Sequence, residues 1–242
     1  WEEEHHPKKW IDCYRDCKFE SIPDVPDHPD MTTGPVYGTP KRETNLRGYF
    51  AAISAMDEGI GKIIAALDAK GLSDNTILIF AADNGMNMGH HGIWGKGNGT
   101  YPVNMYDSSV KVPGLFSCPG LIRQGVVCDE MVSHYDLYET ILDLAGIDFQ
   151  KPENMPGVSF AGLLAGGKQP VRDRVVVFDE YGPCRMIRTK TAKLVLRYPD
   201  GPNELYDLAA DPGEEVNLYG KEEYAALQEQ LAAGLWDWFA AY

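Results

Sequence analysis

The sequence predicts an α/β core followed by a small α+β appendage, on three observations. A long amphipathic stretch beginning at Glu43 leads into an unbroken apolar run, Thr76-Ile77-Leu78-Ile79-Phe80-Ala81-Ala82, the pattern of a helix feeding a strand buried on both faces of a parallel sheet. From about residue 171 the chain turns to short β-like runs separated by turn residues. It then closes on one more amphipathic helix, and that order suits a layered core with a separate antiparallel patch.

In chain order, residues 1–42 hold prolines at 7, 23, 26, 29, 35 and 40, which fix backbone angles and remove donors, so this segment is expected to be mostly irregular. Leu46, Tyr49, Phe50, Ile53, Met56, Ile60, Ile63, Ile64 and Leu67 recur at three- and four-residue spacing, which places them on one face of a helix of roughly 25 residues over something flat and apolar. Gly71 stands where a left-handed C-terminal cap is wanted. After the Thr76–Ala82 strand comes a second strand candidate, Val110 to Ser117, ended by Cys118-Pro119-Gly120. Ser133 to Ala145 reads as a helix with Ser133 or Asp136 as its N-cap and Gly146 as its stop. Arg174–Phe178, Cys184–Lys190 and Lys193–Tyr198 read as strands, Asp200-Gly201 as a turn, and Lys221–Ala241 as a helix whose stripe is Tyr224, Leu227, Leu231, Leu235, Trp238 and Phe239. There is no internal repeat.

Composition is that of a globular protein: 242 residues, 44% hydrophobic and 24% charged. A formal net charge of −14 argues against a broad surface for nucleic acid or anionic membrane, so an anionic ligand needs a local basic pocket or a cation. No run of about 18 apolar residues exists to form a transmembrane helix. Cys13, Cys17, Cys118, Cys128 and Cys184 are too few and too scattered for a disulfide framework, and Cys13 and Cys17 lack the second ligand pair of a zinc site. They read as buried or surface thiols, and they leave periplasmic, secreted and cytoplasmic settings all open.

The chemistry concentrates in TILIFAADNGMNMGHHGIWGKG, Thr76 to Gly97. Asp83 and Asn84 follow the apolar strand, at the end where open α/β sheets place their ligand crevice. A carboxylate beside a carboxamide supplies hard oxygen donors suited to Ca²⁺ or Mg²⁺, and Gly85 lets the backbone turn away. Asp, Asn and Gly are also the commonest β-turn residues, so on local pattern both readings stand. Lys96, between Gly95 and Gly97, adds a compact positive charge where backbone can approach a ligand closely. His90 and His91, between Gly89 and Gly92, add hydrogen-bond donors that titrate near neutrality. Together these are the parts for binding a tetrahedral anion, although each is ordinary as solvated surface.

Five blocks in order, LRGYFAAISAMDEGIGKIIAALDAKGLSDNTILIFAADNG, GHHGIWGKG, MYDSSVKVPGLFSCPG, VSHYDLYETILDLAGI and ELYDLAADPGEEVNL, resemble the C-terminal half of the type I sulfatases, members of the alkaline-phosphatase-like superfamily. The resemblance covers about residues 43 to 235. It implies a mixed sheet sandwiched by helices, with residues 1–42 as an irregular segment near the substrate mouth, 43–168 as the C-terminal half of the α/β core and 169–242 as a small α+β subdomain. It also implies Ca²⁺ held by Asp83 and Asn84, a sulfate or leaving-oxygen contact from Lys96, and an active-site histidine at His91. Asp107 matches a family acidic position read as structural, and His134 starts a helix read as scaffold.

The departures matter as much. The family nucleophile, a formylglycine made within Cys-x-Pro-x-Arg or Ser-x-Pro-x-Arg, has no counterpart here: SCPGLIR and PCRMIR fail the spacing and SIPDV lacks the arginine. The family's early aspartate pair is absent as well, and the stretch around Trp1 resembles a point midway along a sulfatase. The expectation is therefore a C-terminal portion that supplies part of a Ca²⁺ site and a sulfate-contacting lysine, is inactive alone, and acts in the whole enzyme on a sulfated small molecule or glycan. A phosphoesterase or phosphonate hydrolase of the same superfamily and a non-catalytic module for sulfated glycans are the alternatives. Specificity falls to the proline-rich residues and to a rim around Tyr181 to Arg188, with Arg185, Arg188 and Lys190 as basic candidates or plain solvated surface. Asn98-Gly99-Thr100 is a glycosylation sequon by pattern and reads as a crevice loop. An apolar edge and face left open would favour self-association or pairing with the missing half.

Overall fold

The computed structural model describes residues 2–180 and 182–242; Trp1 and Tyr181, to which the midway start and the basic rim were tied, lie outside the described residues. The chain divides into two compact units, Trp1–Gly120 and Leu121–Tyr242.

The first unit contains α1 (Lys8–Cys13), α2 (Lys41–Ala69), β1 (Leu78–Ala81), β2 (Asn87–Met88), β3 (Trp94–Gly95), α3 (Asp107–Val110) and β4 (Gly114–Ser117). The long helix forms where the apolar spacing places it, and Gly71 stops it with φ +65. Gly71 N–H donates to Asp68 O at 3.0 Å and Leu72 N–H to Leu67 O at 3.0 Å, the two bonds of a Schellman cap. The inner face of the first half of α2, from Leu46 to Phe50, packs with Phe19 and Val36 of the proline-rich segment and with Met88 and Trp94 of the β2–β3 hairpin. That segment is irregular, as its prolines require, apart from α1 and a turn of 3-10 helix at Glu3–His5.

Among the described residues the expected parallel pairing is not found. β1 pairs β4 antiparallel, in register Leu78↔Ser117 to Ala81↔Gly114, as a two-stranded sheet among the described residues. A parallel return requires a crossover long enough to bring the chain back to the start of β1. Here residues 82–113 hold a short hairpin, two turns of 3-10 helix and the single-turn α3, with no crossover helix, and β4 runs antiparallel to β1. Val110 belongs to α3, and the second strand begins only at Gly114. Nor is β1 buried on both faces: Leu78, Ile79 and Phe80 are half-buried and Ala81 is exposed. Beside this sheet Met56, Ile63, Ile64 and Leu115 are also exposed, and an apolar cleft lies among Ile53, Met56, Ile60, Phe80 and Leu115.

The second unit contains α4 (Leu137–Leu144), α5 (Ala161–Leu164), β5 (Arg174–Phe178), β6 (Cys184–Thr189), β7 (Ala192–Arg197), β8 (Glu204–Asp207) and α6 (Ala225–Ala241). The strands form one antiparallel sheet in the order β5-β6-β7-β8. Val176, Ile187, Leu194 and Leu205 on the sheet meet Leu231 and Leu235 of α6, with Tyr224, Leu227, Trp238 and Phe239 packed around them. Ser133 caps the turn before α4 and Asp136 completes a capping box. The Asp136 carboxylate accepts Ser133 N–H at 2.7 Å and Val158 N–H at 2.8 Å, and Arg172 pairs with it from a side chain only 9% exposed. Burial pushes the Asp136 carboxyl up, against the pull of those donors. Cys13, Cys17 and Cys128 are exposed free thiols and Cys118 and Cys184 buried ones.

Removing one partner of a buried, hydrogen-bonded ion pair leaves the other charge uncompensated, so Asp136→Ala is expected to destabilise the second unit by about 3–5 kcal/mol. Lys190→Ala, which breaks an exposed 2.9 Å pair with Glu130, should cost less than about 1 kcal/mol. Urea unfolding followed by tryptophan emission measures both; equal midpoints for the two variants would contradict this assignment.

Candidate active site

The site grows from the exit of β1. The chain leaves Ala81 and presents Asp83 with its side chain 84% exposed, while Asn84 is half-buried. Asp83 Oδ1 accepts the Asn84 N–H at 2.9 Å, and Asn84 Nδ2 donates to Gly85 O at 2.8 Å. That commits the Asn84 amide nitrogen and leaves its carbonyl oxygen as the donor atom. Gly85 is required by close approach: its N–H donates to Ser109 O at 2.8 Å, and a Cβ there would stand 2.2 Å from Ser108 O.

The β2–β3 hairpin then reverses the chain, with Asn87 opposite Gly95 and Met88 opposite Trp94. Its tight turn uses Gly89 at φ +103 and Gly92 at φ +71, and it forces His91 to φ +53, in the left-handed region that side chains avoid. His91 lies flat on Tyr106, ring centroids 3.7 Å apart and planes 9° apart. His90 Nδ1 accepts Met88 N–H at 3.4 Å, and burial holds its imidazole below the ordinary value.

The reversal brings Lys96 back beside the strand exit. Its Nζ stands 4.0 Å from Asp83 Oδ2, with the Lys96 side chain 52% exposed. Asp83, Asn84 and Lys96 therefore share one exposed corner, whereas His91 is held by Tyr106. An exposed pair at that distance is worth at most about 1 kcal/mol, so each charge is available to a stronger partner. The donor set fits a hard cation in kind: Asp83 and Asn84 offer oxygens and no soft atom. In number it is partial, since Ca²⁺ takes about six to eight oxygens.

Residues that the sequence reading passed over fix this corner. Asn87, fully buried, donates from Nδ2 to Gly95 O at 3.1 Å and to Ser109 Oγ at 2.7 Å. Asn104, also buried, donates from Nδ2 to Gly97 O at 2.9 Å, and Ser109 Oγ donates to Asn104 Oδ1 at 2.6 Å. Their only signal was the placement of small polar residues inside otherwise apolar blocks. The proline-rich segment braces the other side: His28 N–H donates to Gly92 O at 2.9 Å, Thr32 N–H to Gly99 O at 2.9 Å, and a Cβ on Gly92 would meet Pro26 O at 2.1 Å. Asn98 is exposed on this loop and Thr100 is buried. In the second unit Arg185 lies over the rings of Tyr198, Trp236 and Phe239 at 5.5, 5.2 and 4.4 Å, Arg188 donates to Thr189 O at 3.0 Å and Lys190 pairs with Glu130.

Comparison with known proteins shows the family and the fold. The family model described as Sulfatase matches residues 6–147, and that described as N-sulphoglucosamine sulphohydrolase, C-terminal, matches residues 89–240. An ulvan-active sulfatase of Formosa agariphila is 31% identical over 242 residues, covering 95% of this chain and 43% of that protein. A solved complex with its substrate D-glucosamine-2-N,6-O-disulfate superposes with TM-score 0.72 at 31% identity, over 81% of this chain and 40% of that one. A phosphonate monoester hydrolase of Agrobacterium radiobacter superposes with TM-score 0.71 at 26% identity, over 86% of this chain and 44% of that one. The chain belongs to the sulfatase family, in the alkaline-phosphatase-like superfamily, and matches its C-terminal portion. It spans less than half the length of each of these three proteins.

The depressed His90 value has a testable consequence. The unfolded chain takes a proton near pH 6.5 that the folded one refuses, so the contribution of His90 is complete above about pH 6.5 and is lost as pH falls below it. His90→Gln should flatten the decline of Tm between about pH 7 and about pH 5.5 relative to the unaltered chain; an unchanged slope would count against a buried neutral imidazole.

Proposed function

We propose that this chain supplies part of the active site of a carbohydrate sulfatase: Asp83 and Asn84 as ligands to Ca²⁺, and Lys96 as the contact to the sulfate group. The observation that carries the reading is the meeting of Lys96 Nζ and Asp83 Oδ2 at 4.0 Å on the exit of β1. A cation at Asp83 and Asn84 would repel the Lys96 ammonium, and an anion lying between them removes that repulsion, so the corner is best satisfied by all three together. The Lys96 ammonium holds a sulfuryl oxygen and offsets charge that builds on it or on the leaving oxygen. Calcium, when bound, supplies a fixed double positive charge that polarises the sulfate ester. His91, held against Tyr106 on the same loop, is the candidate for a further hydrogen bond to the substrate.

The 242 residues contain no Cys-x-Pro-x-Arg or Ser-x-Pro-x-Arg block, so the attacking formylglycine is not theirs to provide. The substrate class is a sulfated glycan or small molecule, in keeping with the ulvan-active relative and with the disulfated glucosamine held by the solved neighbour. The likeness to a phosphonate monoester hydrolase favours one second reading, a phosphorus ester in place of a sulfate ester. The open apolar residues of α2 and β4 are the surface through which the chain would associate with a copy of itself or with the other half of a sulfatase.

The test compares the 242-residue chain with the protein expressed at its full genomic length, on paired 4-nitrophenyl sulfate and 4-nitrophenyl phosphonate esters. The chain alone should turn over neither. The full-length protein should prefer the sulfate, and Lys96→Ala should lower kcat/KM by about 10²–10³-fold. Sulfate turnover by the chain alone, or a Lys96→Ala protein with unaltered kinetics, would remove the central roles assigned here. Light scattering at high concentration should show the chain associated; a clean monomer would refute that part.

A further inference from the structure

We propose that Asn104 is a positioning residue for Lys96, acting together with Asn87 through Ser109. This rests on the reading of Lys96 as the sulfate contact and adds what makes that contact possible. Lys96 is flanked by Gly95 and Gly97, so its backbone would otherwise be among the least constrained in the unit. The carbonyls on both sides of it nevertheless receive side-chain amides. Asn87 Nδ2 donates to Gly95 O at 3.1 Å, and Asn104 Nδ2 donates to Gly97 O at 2.9 Å and to Thr100 Oγ1 at 3.1 Å, with Lys96 O a longer contact at 3.4 Å. The Asn104 backbone adds a further bond, its N–H to Gly97 O at 3.0 Å.

The two amides are joined. Ser109 Oγ donates to Asn104 Oδ1 at 2.6 Å and accepts from Asn87 Nδ2 at 2.7 Å, while Ser109 O receives the Gly85 N–H at 2.8 Å. Asn87, Asn104 and Ser109 are all buried, at 0%, 3% and 3% exposure. One residue, Ser109, thus ties the turn that presents Asp83 and Asn84 to the loop that presents Lys96. The glycines give the loop room for a close ligand, and the amides return the rigidity that glycine removes. Buried carbonyls need partners in any interior, so what singles this network out is that the carbonyls it satisfies flank the exposed Lys96.

The discriminating experiment is a double-mutant cycle on the full-length protein with 4-nitrophenyl sulfate. Asn104→Ala should lower kcat/KM by about 10–10²-fold, since a displacement near 1 Å at a reacting group costs that much. In the Lys96→Ala background the same substitution should cost less than about twofold, because its effect passes through Lys96. Equal losses in both backgrounds would overturn the proposal and leave Asn104 a purely structural residue. If Asn104→Ala does not fold, Asn104→Asp takes its place: it keeps the acceptor for Ser109 and loses the amide donor to Gly97 O and Thr100 Oγ1. A second readout needs no turnover. In the 242-residue chain, reductively ¹³C-methylated Lys96 should give an NMR resonance that moves toward that of a free lysine on Asn104 substitution. An unmoved resonance overturns the proposal, whereas loss of the Lys96→Ala effect in the kinetics would overturn the functional reading instead.

Discussion

The hydrogen bond from Gly85 N–H to Ser109 O, and the buried Asn87–Ser109–Asn104 chain beside it, is the constraint on which the site depends. Between Ala81 and Gly114 the chain has little regular structure: a two-residue hairpin, two turns of 3-10 helix and the single-turn α3. A connection that long without its own elements is held only by specific bonds. Here they are side-chain amides and hydroxyls, and because they are buried, each unmet partner would cost free energy comparable to a full hydrogen bond. Ser109 adds to the Asn87–Gly95 pairing a second, buried link between the Asp83 turn and the Lys96 loop.

Charge is used in opposite ways at the candidate site and in the buried pairs of the second unit. In the second, ionised groups are taken out of water and matched: Asp136 with Arg172, Lys193 with Glu214, and Arg197 with Glu204 at 2.8 Å. Such pairs hold a geometry and are costly to break, and offer little to a ligand. At the candidate site, Asp83 and Lys96 are exposed and separated by 4.0 Å, a pairing weak enough to yield to a divalent cation and an oxyanion. The excess of acidic residues over the whole chain makes that local lysine matter more, since the general field repels an anion.

Much of this was legible in the amino-acid order. The first half of the α2 stripe, the caps at Gly71 and Gly146, the three long strands of the antiparallel sheet and the α6 stripe follow from periodicity and from glycine at positive φ, whereas Ile53, Met56, Ile63 and Ile64 farther along α2 are exposed. The corner formed by Asp83 and Lys96 was also legible, because both flank a hairpin rich in glycine. Strand direction was not. The apolar run of β1 looks alike beside a parallel or an antiparallel neighbour, and the connection decides between them. β8 escaped notice because Glu204–Asp207 alternates weakly over four residues, and α1 because its lysines mask any apolar stripe. Asn87 and Asn104 were illegible for another reason: an asparagine that caps a carbonyl and one that faces water have the same letter, and only burial separates them.

The central claim is that Asp83, Asn84 and Lys96 act as one cation-and-anion site. Its most direct test is a crystal structure of the full-length protein with calcium and sulfate, located by anomalous scattering. The account predicts calcium bound by oxygens of Asp83 and Asn84 at about 2.3–2.6 Å, with a sulfate oxygen within about 3 Å of Lys96 Nζ. Calcium and sulfate bound elsewhere, with Asp83 and Lys96 still facing each other across water, would contradict it.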